Sequence, residues 1–558
     1  MVKALRTSVR SGGLRQGGLQ PGVGSDNIFA TASLDLDFAR HKNLGQQVDA
    51  TTGSKLVDHT RASSGTYVGS DGLIKTATTN LLTYSEEFDN AIWQVTAPGE
   101  VTIIPGVEDP LGGNTADTLY RDSGAGDTGW LRRLFSGVIG QTYTLSFWLR
   151  RRSGTGDLLA VVGDNINQVI SGVTSTWQRF SVSNTISSTT LRAYFNVKSS
   201  GDQFDVWGAQ LEQSDTVGEY VKTTSTINSA PRFDHDPTTG ESLGLLVEES
   251  RTNLLLDSGN LSTGNWVPAD GAARPGVTVS APDGTNSAIQ LNVVSTGTSG
   301  LYQTLSVTSG VTYTFSVWMR TASGTLAMKI GNVDVGDYES VTVTTNWKRY
   351  EATQVASSAT RLPAIASDSA DGSVYLWGAQ LEEGSFPTSY IPTTDSTVTR
   401  AADVASITGS NFSSWYRQDE GTVFYEGQVL GSDQLSNKDM LGLSDGTSNE
   451  FAKMFIPSGN NQRFRVEVGG VTQVLQNAIP TADVYSPAKS AFALKLNSTT
   501  CAGNGIVQPE VTSCLIPAVD RFVFGELSTG ESELAARYKR ITYWPQRLPN
   551  EVLQTITQ

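Results

Sequence analysis

The chain has 558 residues, 56 of them glycine, and a formal net charge of −15. That charge argues against general nucleic-acid binding, because affinity for a phosphate backbone needs clustered Lys and Arg. The sequence offers neither the ~18 consecutive apolar residues that cross a bilayer nor the apolar segment of a secretory signal. We therefore expect a protein that is made in a cytoplasm without membrane insertion. The near absence of long helical periodicities predicts several β-rich domains.

Residues 1–31 have the composition of an arm rather than of a folded core. No acidic residue occurs in positions 1–24, and the basic residues there are Lys3, Arg6, Arg10 and Arg15. Such segments become ordered only on a partner. Two interpretations stay open: an anchor that inserts into a larger assembly, and a solvated tail.

Residues 32–79 form a short leader in which Leu34, Leu36 and Phe38 alternate with polar residues, as in a half-buried strand. A second leader-like segment, residues 226–252, contains Pro231-Arg232-Phe233-Asp234. Both are too short to fold alone. We expect their strands to pack between domains or across subunits.

Two long segments, residues 80–225 and 253–399, are copies of one module. The run Trp-Gly-Ala-Gln-Leu-Glu occurs at Trp207–Glu212 and again at Trp377–Glu382. Trp148 and Trp318 keep the same spacing of 170 residues, 318 minus 148. A register this strict identifies two homologous domains.

The clearest strand of each repeat is Tyr143–Arg150 in the first and Tyr313–Arg320 in the second. Alternation directs one set of side chains into a core, namely Tyr143, Leu145, Phe147 and Leu149. Trp148 and Arg150 then share the opposite face. Several such strands, separated by Gly, Asn, Asp and Ser, predict tandem β-sandwiches of jelly-roll type.

Residues 400–558 form a third domain, with predicted strands at 421–427, 492–496 and 540–544 and a closing helix at 548–554. It contains the two cysteines of the chain, Cys501 and Cys514. Two cysteines and three scattered histidines make a poor zinc ligand set. A disulfide between them and two reduced thiols are equally weighted alternatives.

Three sequence features together resemble bacteriophage and prophage virion proteins. They are the leader Thr60–Gly69, the segment Pro231–Asp234, and the Trp-Gly-Ala-Gln-Leu-Glu run followed by Tyr390–Thr393. The resemblance implies carbohydrate-binding-module-like jelly rolls on a tail fibre or head fibre, a homotrimer, and location on the virion. The C-terminal domain resembles a concanavalin or laminin-G-like sandwich through Tyr538–Leu548.

No cofactor is predicted. Many jelly rolls of this resemblance hold a structural calcium through an acidic residue in the last strand. This chain has Gly208-Ala209 and Gly378-Ala379 there, so calcium is possible without support from the residues.

Sugar binding commonly uses aromatic side chains that stack on a pyranose face. Trp130, beside Arg132, is the stronger candidate, because the second repeat has Gly300 near that position. The other candidates are the recurring pairs Trp148 with Arg150 and Trp318 with Arg320. For these two faces, cover by the leader strand or by a neighbouring subunit is the favoured alternative.

Catalysis is not predicted. A glycan depolymerase needs two carboxylates placed roughly 5 to 10 Å apart. Concanavalin-like glycosidases usually carry them as closely alternating acids of the kind Glu-x-Asp-x-Glu, and the sequence has no such run. We interpret the adjacent acids Glu248-Glu249 and Glu382-Glu383 as solvated surface or rim charges. The sequence therefore predicts a non-enzymatic virion protein that binds other virion proteins through its arm and host polysaccharide through its repeats. A purely architectural head fibre, decoration or collar protein is the alternative.

Overall fold

The computed structural model describes residues 28–40, 56–97, 99–122, 130–163, 168–332, 337–361, 363–431, 437–458, 461–479, 484–525 and 534–558. The predicted anchor residues Lys3, Arg6, Arg10 and Arg15 lie outside these ranges. The described chain forms two compact units, one of residues 61–64 and 77–230, the other of residues 1–60, 65–76 and 231–558. The first contains the first repeat. The predicted all-β class is confirmed.

Strands are numbered in chain order from the N-terminus. The leader strands are β1 (Leu34–Asp37), β2 (Asp58–Thr60), β3 (Thr66–Val68) and β4 (Ile74–Thr76). The first repeat has β5 (Thr79–Asn80), β6 (Gln94–Val95), β7 (Val101–Val107), β8 (Ala116–Arg121), β9 (Leu131–Ser136), β10 (Thr142–Ser153), β11 (Leu158–Val162), β12 (Gln168–Ile170), β13 (Gln178–Thr185), β14 (Thr190–Val197), β15 (Gln203–Glu212) and β16 (Asn228–Ser229). Between the repeats lie β17 (Arg232–His235) and β18 (Ser242–Val247).

The second repeat has β19 (Arg251–Asn253), β20 (Val267–Ala269), β21 (Thr278–Val279), β22 (Ala288–Val293), β23 (Gly300–Tyr302), β24 (Leu305–Ser306), β25 (Thr312–Arg320), β26 (Leu326–Asn332), β27 (Asp337–Val343), β28 (Lys348–Val355), β29 (Thr360–Arg361), β30 (Pro363–Ser367), β31 (Gly372–Glu383) and β32 (Val398–Arg400).

The C-terminal part has β33 (Val404–Thr408), β34 (Glu420–Gly431), β35 (Lys438–Ser444), β36 (Phe451–Ile456), β37 (Gln462–Val468), β38 (Val471–Ile479), β39 (Ala488–Lys495), β40 (Thr500–Gly503), β41 (Ile506–Val507), β42 (Arg521–Phe524) and β43 (Ala535–Trp544). Its helices are α1 (Gly409–Ser413) and α2 (Asn550–Ile556). No helix of the described ranges has the length and apolar character that crossing a bilayer requires.

Each repeat is a sandwich of two five-stranded antiparallel sheets. In the first repeat these have the orders β13-β10-β15-β8-β7 and β12-β11-β14-β9-β6; in the second, β28-β25-β31-β22-β21 and β20-β23-β30-β26-β27. The predicted inward side chains of β10 are buried between the sheets, where Phe147 meets Phe195 of the opposite sheet edge-on with ring centroids 4.8 Å apart. Period-two alternation therefore assigned this face correctly.

The C-terminal sandwich is built from separated parts of the chain. Its eight-stranded sheet contains β1, β17 and β18, and β1 and β18 both pair with the last strand, β43. Its seven-stranded sheet begins with β2, which pairs with β33. Strands β1, β2, β17 and β18 thus belong to this sandwich and do not lie between domains as expected. Strands β3 and β4 instead pair with each other, and Ile74 of β4 contacts the second repeat. Both repeats are inserted into its chain path.

A buried ionic cluster joins these parts around Arg232. The Arg232 guanidinium donates to the Glu248 carboxylate at 2.6 Å, to the Asp403 carboxylate, and to the Thr66 carbonyl at 3.1 Å. His59 Nε2 lies 3.2 Å from Asp403 Oδ1. The Arg232 and Asp403 side chains are fully buried. Because a buried charge is tolerated only when paired, β2, β3, β17 and the segment before β33 must be in place together.

Glu248 and Glu249 are buried, at 2% and 6% exposure, and so is Glu382 at 0%. The expectation that both acidic pairs are solvated is wrong for these three residues. Glu248 accepts hydrogen bonds from the Ser389 amide at 2.7 Å and from Arg232, with Arg400 Nη1 3.5 Å away. Long-range partners, which a local pattern cannot reveal, compensate the charge.

We expect Arg232→Ala to destabilise the protein by about 3–5 kcal/mol, because it leaves two carboxylates buried without their main partner. The measurement is the urea midpoint of unfolding. Lys539→Ala is the matched control, since the Lys539–Glu241 pair at 3.0 Å is largely exposed and should contribute at most about 1 kcal/mol. Equal shifts for the two variants would contradict the assignment.

Acid should weaken the same cluster. Burial opposes ionisation of Glu248, but Arg400, Arg232 and the Ser389 hydrogen bonds outweigh it and hold its pKa at about 2. A carboxylate with a depressed pKa stabilises the fold above its unfolded value and loses that contribution as the pH falls. We expect on the order of 3 kcal/mol to be lost between about pH 4.5 and pH 2. Unfolding free energies measured across this range should show a slope that Glu248→Gln removes and Glu241→Gln keeps.

Candidate functional site

The Trp-Gly-Ala-Gln-Leu-Glu run forms a β-bulge that seats a tryptophan. Gly208 has a φ of 62°, and the β10–β15 register shifts beside it between Ser146 and Trp148. A Cβ on Gly208 would lie 3.0 Å from Trp148 Cε3, so only glycine fits both the backbone and the ring. Trp148 contacts Trp207 and Tyr220 edge-on, with ring centroids 5.1 and 5.3 Å away.

The second repeat builds the same arrangement. Gly378 has a φ of 66°, and Trp318 lies against Trp377 and Tyr390 at 5.5 and 5.7 Å. Here the leader covers part of the face: Ile74 of β4 packs against this cluster, and its amide donates to the Pro282 carbonyl at 2.9 Å.

Arg150 and Arg320, the predicted partners of these tryptophans, also make internal contacts. Arg150 lies over the Trp177 ring at 4.8 Å, and its Nε donates to Asp205 at 2.8 Å. Arg320 lies over the rings of Trp347 and Tyr375. Within each unit, the face that carries Trp148 or Trp318 is therefore occupied by side chains of the same unit.

In each repeat, a buried asparagine holds the Trp-Gly-Ala-Gln-Leu-Glu run in place through hydrogen bonds to the backbone. Asn80 uses its full amide capacity in four buried hydrogen bonds to the backbone, with Leu82, Ala209, Leu211 and Val221. Asn253 makes the same four bonds in the second repeat. The recurrence of this asparagine in both repeats is thus explained by its structural role.

We expect Gly208→Ala to destabilise the first repeat by more than the ~1–2 kcal/mol cost of a positive φ for alanine, because the new methyl group also meets Trp148. Gly172→Ala is the control, since Gly172 has a φ of 71° with nothing within 4 Å of an added Cβ. Urea midpoints followed by tryptophan fluorescence make the comparison. Similar midpoints for both variants would show that the ring contact is unimportant.

A different surface carries Trp130 and Arg132. It is the outer face of the sheet β12-β11-β14-β9-β6, which we call the Trp130 face and define by Trp130, Arg132, Arg192, Tyr194 and Asn196. The Trp130 indole stacks on the Tyr194 ring with centroids 4.7 Å apart and planes 11° apart. Trp130 is half-buried and Tyr194 is 6% exposed. Neither ring belongs to the apolar cluster between the two sheets, and the Trp130 ring covers Tyr194 from the outer side.

Three buried polar atoms of the Trp130 face are left without hydrogen bonds within the part of the chain that the structure describes. Trp130 Nε1, Arg132 Nε and Asn196 Oδ1 have no hydrogen-bond partner among the described residues. Burial raises the pKa of Tyr194, and the nearby Arg192 opposes that rise. Donors, an acceptor and an aromatic stack thus lie together, which are the groups that recognise a sugar. Sequence reasoning singled out Trp130, and Arg132 beside it, because the second repeat has no aromatic residue at the position of Trp130. It did not single out Tyr194 and Asn196 on the neighbouring strand, which no local pattern marks.

The corresponding face of the second repeat has other residues. Cross-strand pairing places Tyr302, Ala364, Gly331 and Tyr338 in one row across β23, β30, β26 and β27. We call this surface the Tyr302 face. Tyr302 packs against Ala364 and Ala366. Lys329 Nζ lies 4.7 Å above the Tyr338 ring and 3.0 Å from Asp368.

Cys501 and Cys514 are free, buried thiols in the C-terminal sandwich and do not form a disulfide in this structure. Burial raises the pKa of Cys501, which makes its thiolate unfavourable. Within the described ranges, no three His, Cys, Asp or Glu side chains are grouped as metal ligands would be.

No family model and no curated protein sequence matches the chain. Among solved structures, the Ruminococcus gnavus IT-sialidase CBM40 bound to α2,6-sialyllactose is 12% identical, with 25% of this chain and 85% of that chain covered and a TM-score of 0.23. The CBM22-1–CBM22-2 tandem domain of Paenibacillus barcinonensis Xyn10C is 16% identical over 55% and 98%, with a TM-score of 0.23. The NanB sialidase of Streptococcus pneumoniae is 18% identical over 27% and 26%, with a TM-score of 0.23. The first two are carbohydrate-binding modules with β-sandwich folds, and they assign no ligand to this chain.

Proposed function

We propose that this chain is a non-enzymatic phage virion protein that attaches the particle to host-surface glycans through its β-sandwich repeats. The observation that carries the binding proposal is the stacked pair of Trp130 and Tyr194 beside Arg132. An aromatic pair outside the core, next to polar atoms that lack protein partners, fits an apolar sugar face and its hydroxyls.

The strands of the Trp130 face support binding rather than hydrolysis. The strands β6, β9, β11, β12 and β14 contain no Asp or Glu. Glycoside hydrolysis commonly uses a pair of carboxylates on either side of the scissile bond. A face whose strands supply none fits a binding module.

The virion setting is supported by the sequence features shared with phage virion proteins. In that setting the basic arm, residues 1–31, joins the particle, and a homotrimer presents each face in several copies. Weak single sites then act together, because a second contact on a tethered particle benefits from a high effective concentration.

An architectural role is the second candidate. It is favoured by one observation: the faces of Trp148 and Trp318 are occupied by side chains of their own units. In that case the repeats serve assembly alone, and the Trp130 face has no glycan ligand.

We expect Trp130→Ala to weaken binding of the full-length protein to surface polysaccharide by about tenfold or more, since an aromatic stacking platform is lost. The measurement uses fluorescently labelled protein on a panel of immobilised bacterial lipopolysaccharides and capsular polysaccharides, with soluble polysaccharide as competitor.

Trp177→Ala is the matched control, because Trp177 is half-buried in the same repeat and lies beside Arg150, away from the Trp130 face. It should leave binding within about twofold of the original. Equal losses for the two variants would remove Trp130 from the site. Failure of the unmodified protein to bind any polysaccharide of the panel would favour the architectural role.

A further inference from the structure

We infer that the two repeats have diverged to take different classes of saccharide: the Trp130 face a carboxylated sugar, and the Tyr302 face a neutral one. This inference rests on the proposed function, since it names the ligand class of each face.

The two faces occupy the same place in the fold. Leu131 pairs with Phe195 in the first repeat, and Leu301 pairs with Ile365 in the second. Leu131 and Leu301 are 170 residues apart, 301 minus 131, and so are Phe195 and Ile365, 365 minus 195. This is the spacing of the two repeats. Trp130 therefore corresponds to Gly300, Arg132 to Tyr302, and Tyr194 to Ala364.

Only the outward positions have changed their chemistry. The inward residues Leu131 and Leu301 are both fully buried, as are their partners in the two cores. Their outward neighbours differ in size at Trp130/Gly300 and Tyr194/Ala364, and in charge at Arg132/Tyr302. Packing explains why the inward positions stay apolar. It places no such demand on the outward positions, so their differences point to different ligands.

Charge separates the faces. The five strands of the first sheet carry three arginines, Arg132, Arg133 and Arg192, and no acid. Arg132 and Arg192 are on the outer face, opposite in register to Tyr194 and Leu134. Guanidinium groups bind carboxylates in a fork geometry. A carboxylated sugar stacked on Trp130 would bring its charge to these arginines.

The Tyr302 face lacks this excess of positive charge. Lys329 is its outward cation, and it is paired with Asp368 at 3.0 Å. A carboxylated ligand would have to displace Asp368 from Lys329 or meet its negative charge, which costs free energy. A neutral sugar meets no such penalty.

The shape of the Tyr302 face also suits a neutral chain. Its row from Tyr302 to Tyr338 crosses three strand spacings, about 14 Å, with Ala364 and Gly331 between the rings. Small residues let the Tyr302 ring lie low on the sheet, where it contacts Ala364 and Ala366. Two rings at this distance can stack on separate units of one oligosaccharide. Asp368, which also accepts from Ser340 at 3.0 Å, can bond hydroxyl groups.

The test is an array of neutral and carboxylated oligosaccharides, probed with the full-length protein at low and high NaCl. We expect binding to both classes, with salt weakening only the carboxylated class. Arg132→Gln should reduce affinity for carboxylated glycans about tenfold or more and leave neutral binding within about twofold. Tyr338→Ala should do the reverse.

A second variant of the Trp130 face and one control variant complete the test. Arg192→Gln changes an exposed residue, so it tests the Trp130 face without a folding cost. Lys222→Gln removes an exposed cation of the same repeat that pairs with Glu86, and should change neither class. If Arg132→Gln and Arg192→Gln affect both classes equally or neither, or if the protein binds a single class, the inference is overturned while glycan binding stands. If no glycan binds, the proposed function falls with it.

Discussion

The buried cluster around Arg232 is the interaction on which the C-terminal sandwich and the second repeat depend. It joins β17 to Glu248, to Asp403 after the second repeat, and to the leader through Thr66 and His59. An isolated buried charge costs several kcal/mol, whereas the complete cluster is tolerated. The leader, the inter-repeat segment and the segment before β33 must therefore assemble together. The sandwich can form in this way although both repeats interrupt its chain.

The same segment shows why a short run can be so specific. Of Pro231-Arg232-Phe233-Asp234, the arginine centres the ionic cluster and Phe233 packs with Phe38 in the core. Asp234 accepts from the Val68 amide at 2.8 Å and from Arg537 at 2.6 Å. Each side chain bonds a different part of the chain. The side chains of Arg232, Phe233 and Asp234 thus serve the fold, and we sought a binding site at positions where the repeats differ.

The two repeats illustrate that separation. In both repeats, Trp148 or Trp318 packs on a glycine bulge. Asn80 or Asn253 hydrogen-bonds the strand that contains this bulge. These shared positions therefore serve the fold. The outward residues of the opposite sheet are not needed for this arrangement. There one copy has an aromatic stack with arginines, and the other a row of two tyrosines over small residues. Duplication followed by surface change would provide two sites on one scaffold.

Sequence alone determined the duplication, the all-β class and the inward face of β10, because spacing and period-two alternation are local properties of a strand. It also singled out Trp130 through its mismatch with Gly300. Only the tertiary structure decided that β1, β2, β17 and β18 complete the C-terminal sandwich. It alone revealed that Glu248 is buried, that side chains of the same unit close the Trp148 face, and that Tyr302 shares a row with Tyr338. Each of these depends on the pairing of distant segments, which burial and hydrogen bonding set and no local pattern encodes.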